Sequence, residues 1–168
     1  MRSIDVIFDE SLEAAVRTDW GALSDAGLPS LTQHRGASNR PHITVAAGNE
    51  LTLDGHPSFE AFAVRLGAVM LFPRKSGFVL ARSVVATSEL LALHRSVHSL
   101  VAGAVDHTRV GCWSPHVTLS RNLTAQQLET ALQLLGAPRD GMVSGIRLWD
   151  SVTATVTELT ADDPTELA

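Results

Sequence analysis

Histidine and threonine recur together at two places in this 168-residue chain: Pro41-His42-Ile43-Thr44-Val45-Ala46 and Pro115-His116-Val117-Thr118-Leu119-Ser120. An imidazole with an ordinary pKa of about 6.5 gives or takes a proton near neutral pH, and a threonine hydroxyl can donate to an anionic oxygen. Two of each would supply a general acid, a general base and an anion clamp, the parts needed to cleave a phosphate ester. No other histidine in the chain is followed two residues later by threonine. The shared proline before each histidine, and the apolar residue after each histidine and each threonine, lift the repeat above coincidence.

A β-strand would position such a phrase. With a side-chain period of two, His42 and Thr44 project from one face while Ile43 and Val45 are buried on the other, and His116 and Thr118 stand likewise against Val117 and Leu119. The two histidines lie 74 residues apart, close to half the chain. That spacing predicts one domain over residues 1–160, two-lobed with approximate two-fold symmetry and one motif per lobe. Residues 161–168, acidic and poor in apolar anchors, are expected to form a flexible tail.

The remaining elements alternate as in an α+β protein. Ile4–Phe8 is apolar enough for a first strand, and a helix capped near Ser11 carries apolar residues from Leu12 to Leu23 before Gly27 and Pro29 end it. Residues 30 to 40 predict a short extended piece and a polar loop. Phe59 to Met70 and Phe78 to Val85 read as strands, with Phe72 to Gly77 as the turn between them. Thr87 or Ser88 caps a second helix whose apolar stripe runs from Leu90 to Ala104. Thr124 to Gln127 has capping-box form for a third helix ending at Gly136, and Met142 to Asp150 and Ser151 to Leu159 close the chain as strands.

Composition narrows the partners. With 13 basic and 18 acidic residues and a formal net charge of -5, the chain lacks the basic surface on which long duplex nucleic acid depends. A small nucleotide or an RNA terminus remains acceptable. No run approaches the ~18 apolar residues of a spanning helix, and Asp5 interrupts what would be the apolar region of a signal peptide. The expectation is a cytoplasmic monomer with no membrane partner and no cofactor. A single cysteine, Cys112, precludes an internal disulfide and is expected to be a small buried hydrophobe.

The motif residues resemble the two-histidine phosphoesterases, whose signature is a pair of His-x-Thr-x motifs on two related lobes. Pro115-His116-Val117-Thr118-Leu119-Ser120-Arg121 looks most like the bacterial 2'-5' RNA ligase-like or cyclic phosphodiesterase branch, in which an arginine commonly follows the second motif. After the first motif this chain has Ala46-Ala47-Gly48 where that branch usually has aromatic-leucine-glycine, and it contains no tyrosine. The resemblance implies two antiparallel-rich sheets flanking a central cleft, helices on the outer faces and a reaction without metal. It further implies a substrate with a 2',3'-cyclic phosphate or a 2'-5' linkage, hydrolysed or reversibly formed. His42 and His116 are then the catalytic pair, and Thr44, Thr118 and Arg121 hold the phosphate.

Which histidine is the base depends on which ribose oxygen leaves. Arg121 lies three residues beyond Thr118, so on a regular strand it would face the apolar side; it reaches the site only if the strand ends or bulges there. The other class of function compatible with these residues is a nucleotide- or RNA-end-binding protein that keeps the clamp without turnover. Elsewhere, His94 and His98 stand one helical turn apart but lack a third metal ligand. Trp113 could stack on a base at the cleft rim, although a tryptophan beside a strand is more often core. His34, Arg35 and Arg40 could add positive potential near the first motif but read more readily as a solvated loop.

Overall fold

Both Pro-His-x-Thr phrases open strands, and the branched apolar residues between them go where strand parity sends them: Ile43, Val45, Val117 and Leu119 are all buried. The computed structural model describes residues 1–33, 36 and 38–159. In chain order these form β1 (Arg2–Phe8), α1 (Glu10–Asp25), β2 (His42–Gly48), β3 (Thr52–Leu53), β4 (Phe62–Arg74), β5 (Gly77–Val84) and α2 (Ser88–Leu100). They continue with β6 (Val101–Ala102), β7 (His116–Leu123), α3 (Ala125–Leu134), β8 (Arg139–Asp150) and β9 (Thr155–Glu158). The class is α+β, as the alternation predicts. The expected tail, 161–168, and His34 and Arg35 lie outside the described residues. No helix among them is long and apolar enough to cross a membrane.

The topology repeats. In the first half β1 and β2 pair antiparallel and are joined through α1; in the second, β5 and β7 pair antiparallel and are joined through α2. Each of these pairs gains a further antiparallel neighbour, β8 beside β1 and β4 beside β5. The halves meet where the motif strands touch, through the single register pair Ile43↔Val117. They meet again along β8, whose first residues pair with β4 and whose later residues pair with β1. Hydrogen bonding therefore joins the strands of both halves into one seven-stranded sheet, ordered β1-β2-β7-β5-β4-β8-β9, with β1 also against β8. A two-stranded β3-β6 sheet stands apart.

One hydrophobic cluster underlies both halves. Ile4, Val6 and Phe8 of β1 meet Leu12, Val16 and Trp20 of α1, and the same cluster takes in Leu80, Leu90, Val97, Leu119 and Ile146. The opposite face of the motif strands is left for polar side chains.

Several boundaries differ from the sequence expectation for local reasons. Helix α1 is capped by Asp9, whose carboxylate accepts from the Leu12 amide at 3.2 Å, rather than by Ser11, which lies within the helix. Phe72 to Gly77 is mostly strand: β4 runs through Arg74 and only Lys75 and Ser76 turn. Beyond Leu66, β4 has β5 on one side and, among the described residues, no strand on the other, so Pro73 is tolerated there. Helix α2 stops at Leu100 and does not reach Ala104, because Val101 and Ala102 extend to pair with Leu53 and Thr52 and Gly103 takes a φ of +75°.

Candidate functional site

His42 and Thr44 on β2, and His116 and Thr118 on β7, line one cleft of about 450 Å³. The two rings are held alike. Nδ1 of His42 lies 2.6 Å from the Arg40 carbonyl oxygen, and Nδ1 of His116 lies 2.7 Å from that of Ser114. A carbonyl only accepts, so Nδ1 carries the proton in both rings and Nε2 is the nitrogen left for chemistry. Each ring is thus tied to the backbone two residues upstream, a consequence of the Pro-His turn into the strand. Burial pushes the pKa of His116 down; the Ser114 carbonyl opposes this, and the positive charges of His42, His107 and Arg121 add to the fall. At neutral pH, Nε2 of His116 is therefore a free base.

The threonines, equivalent by sequence, differ in their partners. The Thr44 hydroxyl donates to Oδ1 of Asp5 at 2.9 Å. The Thr118 hydroxyl has no such partner among the described residues, although the Thr118 carbonyl accepts from Trp20 Nε1 at 3.1 Å. Asp5 faces Thr44 across the β1–β2 register, whereas Ala81 occupies the matching place opposite Thr118.

A bulge settles the orientation of Arg121. On β5, Leu80 and Ala81 are adjacent, yet their partners on β7 are Ser120 and Thr118, so the motif strand carries one extra residue at Leu119. Leu119 and Ser120 are both buried, and parity is reversed beyond them, so Arg121 lines the cleft with Thr118. The first motif bulges at the same place: Asp5 pairs with Thr44 and Ile4 with Ala46. There the reversed position is Ala47, which also lines the cleft. One end of the cleft thus carries a guanidinium, and its counterpart carries a methyl group.

Aromatic rings that sequence reasoning missed or placed elsewhere complete the walls. The Phe72 ring lies 4.6 Å from that of His116, tilted by 47°. Its neighbours have turn composition, and only the continuation of β4 brings it to the cleft. Trp113 is half-buried and belongs to both core and cleft: it stacks on His94 at 4.0 Å with an interplanar angle of 3°, and Nε1 donates to the Thr44 carbonyl at 2.9 Å. His94 Nε2 and His98 Nε2 are bonded to the carbonyls of Thr108 and Val45, so both histidines serve packing. Cys112 corrects the expectation of a buried hydrophobe, being exposed at the cleft rim. Arg40 is turned away, its guanidinium 2.7 Å from Glu13. His107 and Arg74 also line the cleft; neither had a sequence signal beyond its residue type.

Comparison with known proteins adds a family and a fold. Among solved structures, the chain is similar to TT0787 of Thermus thermophilus, with 16% identity, 94% of each chain covered and a TM-score of 0.50. It also matches Usb1 of Kluyveromyces marxianus at 12% identity, covering 95% of this chain and 97% of that one, with a TM-score of 0.48. No curated protein matches it. Residues 55–160, which include His116, Thr118 and Arg121 but not the first motif, match the 2'-5' RNA ligase superfamily. The chain belongs to the 2'-5' RNA ligase superfamily.

Proposed function

We propose that the protein is a metal-independent phosphoesterase acting on a ribose-linked phosphodiester, such as a 2',3'-cyclic phosphate or a 2'-5' linkage, at the end of an RNA or in a small nucleotide. The observation that carries this reading is the pair of histidines, each with Nδ1 tied to a backbone carbonyl, that line one cleft together with Thr118 and Arg121. Superfamily membership supports phosphoesterase chemistry in general.

For a cyclic phosphate, neutral His116 accepts a proton from water through Nε2 as the water oxygen attacks phosphorus. Protonated His42 gives its Nε2 proton to the ribose oxygen as the P–O bond on the far side breaks. One water is consumed, the proton moves from one imidazole to the other, and exchange with solvent restores the pair. Thr118 and Arg121 donate to the nonbridging oxygens, Arg121 with the planar fork suited to two of them.

Turnover of 2',3'-cyclic nucleotides should persist in a chelator and fall by about 10²- to 10⁴-fold in His42→Ala and in His116→Ala. Equal rates in the unaltered protein and both variants would remove the histidines from the chemistry. Tight binding of cyclic nucleotides with no turnover would instead make the chain a binding protein that retains the clamp.

A further inference from the structure

Asp5 is a buried carboxylate that the acid–base reaction leaves unused, although it touches a residue of the first motif. Its side chain is 2% exposed, with Oδ2 3.8 Å from Arg147 Nε and 3.3 Å from the Ser3 hydroxyl. Its other oxygen, Oδ1, accepts the Thr44 hydroxyl at 2.9 Å. A hydroxyl has one hydrogen and two lone pairs. With its hydrogen directed at Asp5, Thr44 can offer the cleft only lone pairs, whereas Thr118, opposite Ala81, keeps its hydrogen for a ligand.

We infer that Asp5 is a positioning residue that makes Thr44 a hydrogen-bond acceptor, so that the two motifs, alike in sequence, bind opposite partners. The anionic phosphate oxygens sit against Thr118 and Arg121. Thr44 receives an O–H group, either from the water of the reaction or from a ribose hydroxyl. An anionic oxygen placed against Thr44 would meet lone pairs and find no hydrogen to accept, because that hydrogen is held by Asp5. The bulge beyond each threonine sharpens the division, because the position that holds Arg121 in the second half holds Ala47 in the first. This inference rests on the phosphoesterase reading and deepens it by giving the cleft a polarity.

Sulfate is the appropriate probe, being a tetrahedral anion without an O–H to offer. Its affinity is measured by calorimetry on Thr118→Val, Thr44→Val and Asp5→Asn, alongside turnover of uridine 2',3'-cyclic phosphate. Thr118→Val should weaken sulfate about 10- to 100-fold, the worth of a hydrogen bond to a charged group. Thr44→Val should leave sulfate affinity unchanged or tighter while lowering kcat, and Thr44→Ser should restore kcat. In Asp5→Asn the carboxamide N–H can donate to Thr44 and release the threonine proton to the cleft, so sulfate should bind more tightly as kcat falls.

Two ligands separate the sources of the O–H. If it is the ribose hydroxyl, uridine 3'-phosphate binds the unaltered protein more tightly than its 2'-deoxy analogue, and Thr44→Val abolishes the difference. If it is water, the two ligands bind alike and only kcat responds. Equal loss of sulfate affinity in Thr44→Val and Thr118→Val, with turnover intact in the unaltered protein, would overturn the inference alone. An unaltered protein that neither binds sulfate nor opens the cyclic phosphate overturns the functional reading, and this inference with it.

Discussion

A histidine acts as a base only while it is neutral, and His116 is kept so by burial first and then by the positive charges of His42, His107 and Arg121. The sign of the pH dependence follows. A lowered pKa preserves the neutral ring below the ordinary value of about 6.5, so the acid limb of kcat/KM should have its midpoint below that value, while loss of the proton that His42 must donate gives the opposing alkaline limb of a bell. Arg121 contributes to the lowering, so Arg121→Gln should move that acid limb to higher pH in addition to raising KM for the phosphate ester. A pH–rate profile on both proteins checks this; an unmoved limb would mean that Arg121 is too well solvated to act on His116. The shift has the same sense for stability. Because the fold favours the neutral ring, its contribution is present above about pH 6.5 and is lost as pH falls through the lower folded value.

At the scale of elements, the two motif strands were legible because parity is a local rule, and both histidines and threonines stand where it puts them. Arg121 was legible only as a condition, since a bulge depends on the neighbouring strand's register and leaves no mark on the motif strand itself. Asp5 had no signal at all: in Ile4-Asp5-Val6 it reads as an interruption of an apolar strand, and its meaning comes from Thr44, 39 residues away. Phe72 reads as a turn residue because proline, arginine, lysine and glycine nearby have turn composition, while β5 supplies the pairing that extends the strand. The loop carrying Trp113 shows how such long-range terms can be tested. It leaves β6 through Gly103, whose carbonyl lies so close to Gly48 that a Cβ on Gly48 would collide with it, and the Val105 amide then bonds the Ala47 carbonyl at 2.8 Å. Gly48→Ala should cost about 1–3 kcal/mol, as overpacking does, and should raise KM by displacing the wall that contains His107 and Trp113. Denaturant titration and steady-state kinetics separate the two effects.

Over the whole molecule, two histidines on different halves can share a phosphorus only if the halves are held in fixed relation. The motif strands supply one register pair, Ile43↔Val117, which is little by itself. Strand β8, running from β4 to β1, supplies a second tie. The third is Asp19 of α1, which meets Arg82 of β5 at 3.6 Å and Arg139 of β8 at 3.3 Å. Arg82 also donates to the Gly136 carbonyl, and the side chains of Arg82 and Asp19 are 3% and 5% exposed. Two charges so fully withdrawn from water are held by each other, and removing one strands its partner. Asp19→Ala should therefore cost about 3–5 kcal/mol, and a fall in Tm of roughly 6–20 °C for a chain of this size. Since the ion pair joins α1 of the first half to β5 of the second, kcat should fall as well at temperatures where the variant is still folded, although Asp19 is not among the residues that line the cleft. Calorimetry gives the first quantity and turnover well below Tm the second. A variant that loses stability but keeps kcat would show that β8 and the motif-strand contact alone hold the histidines in register.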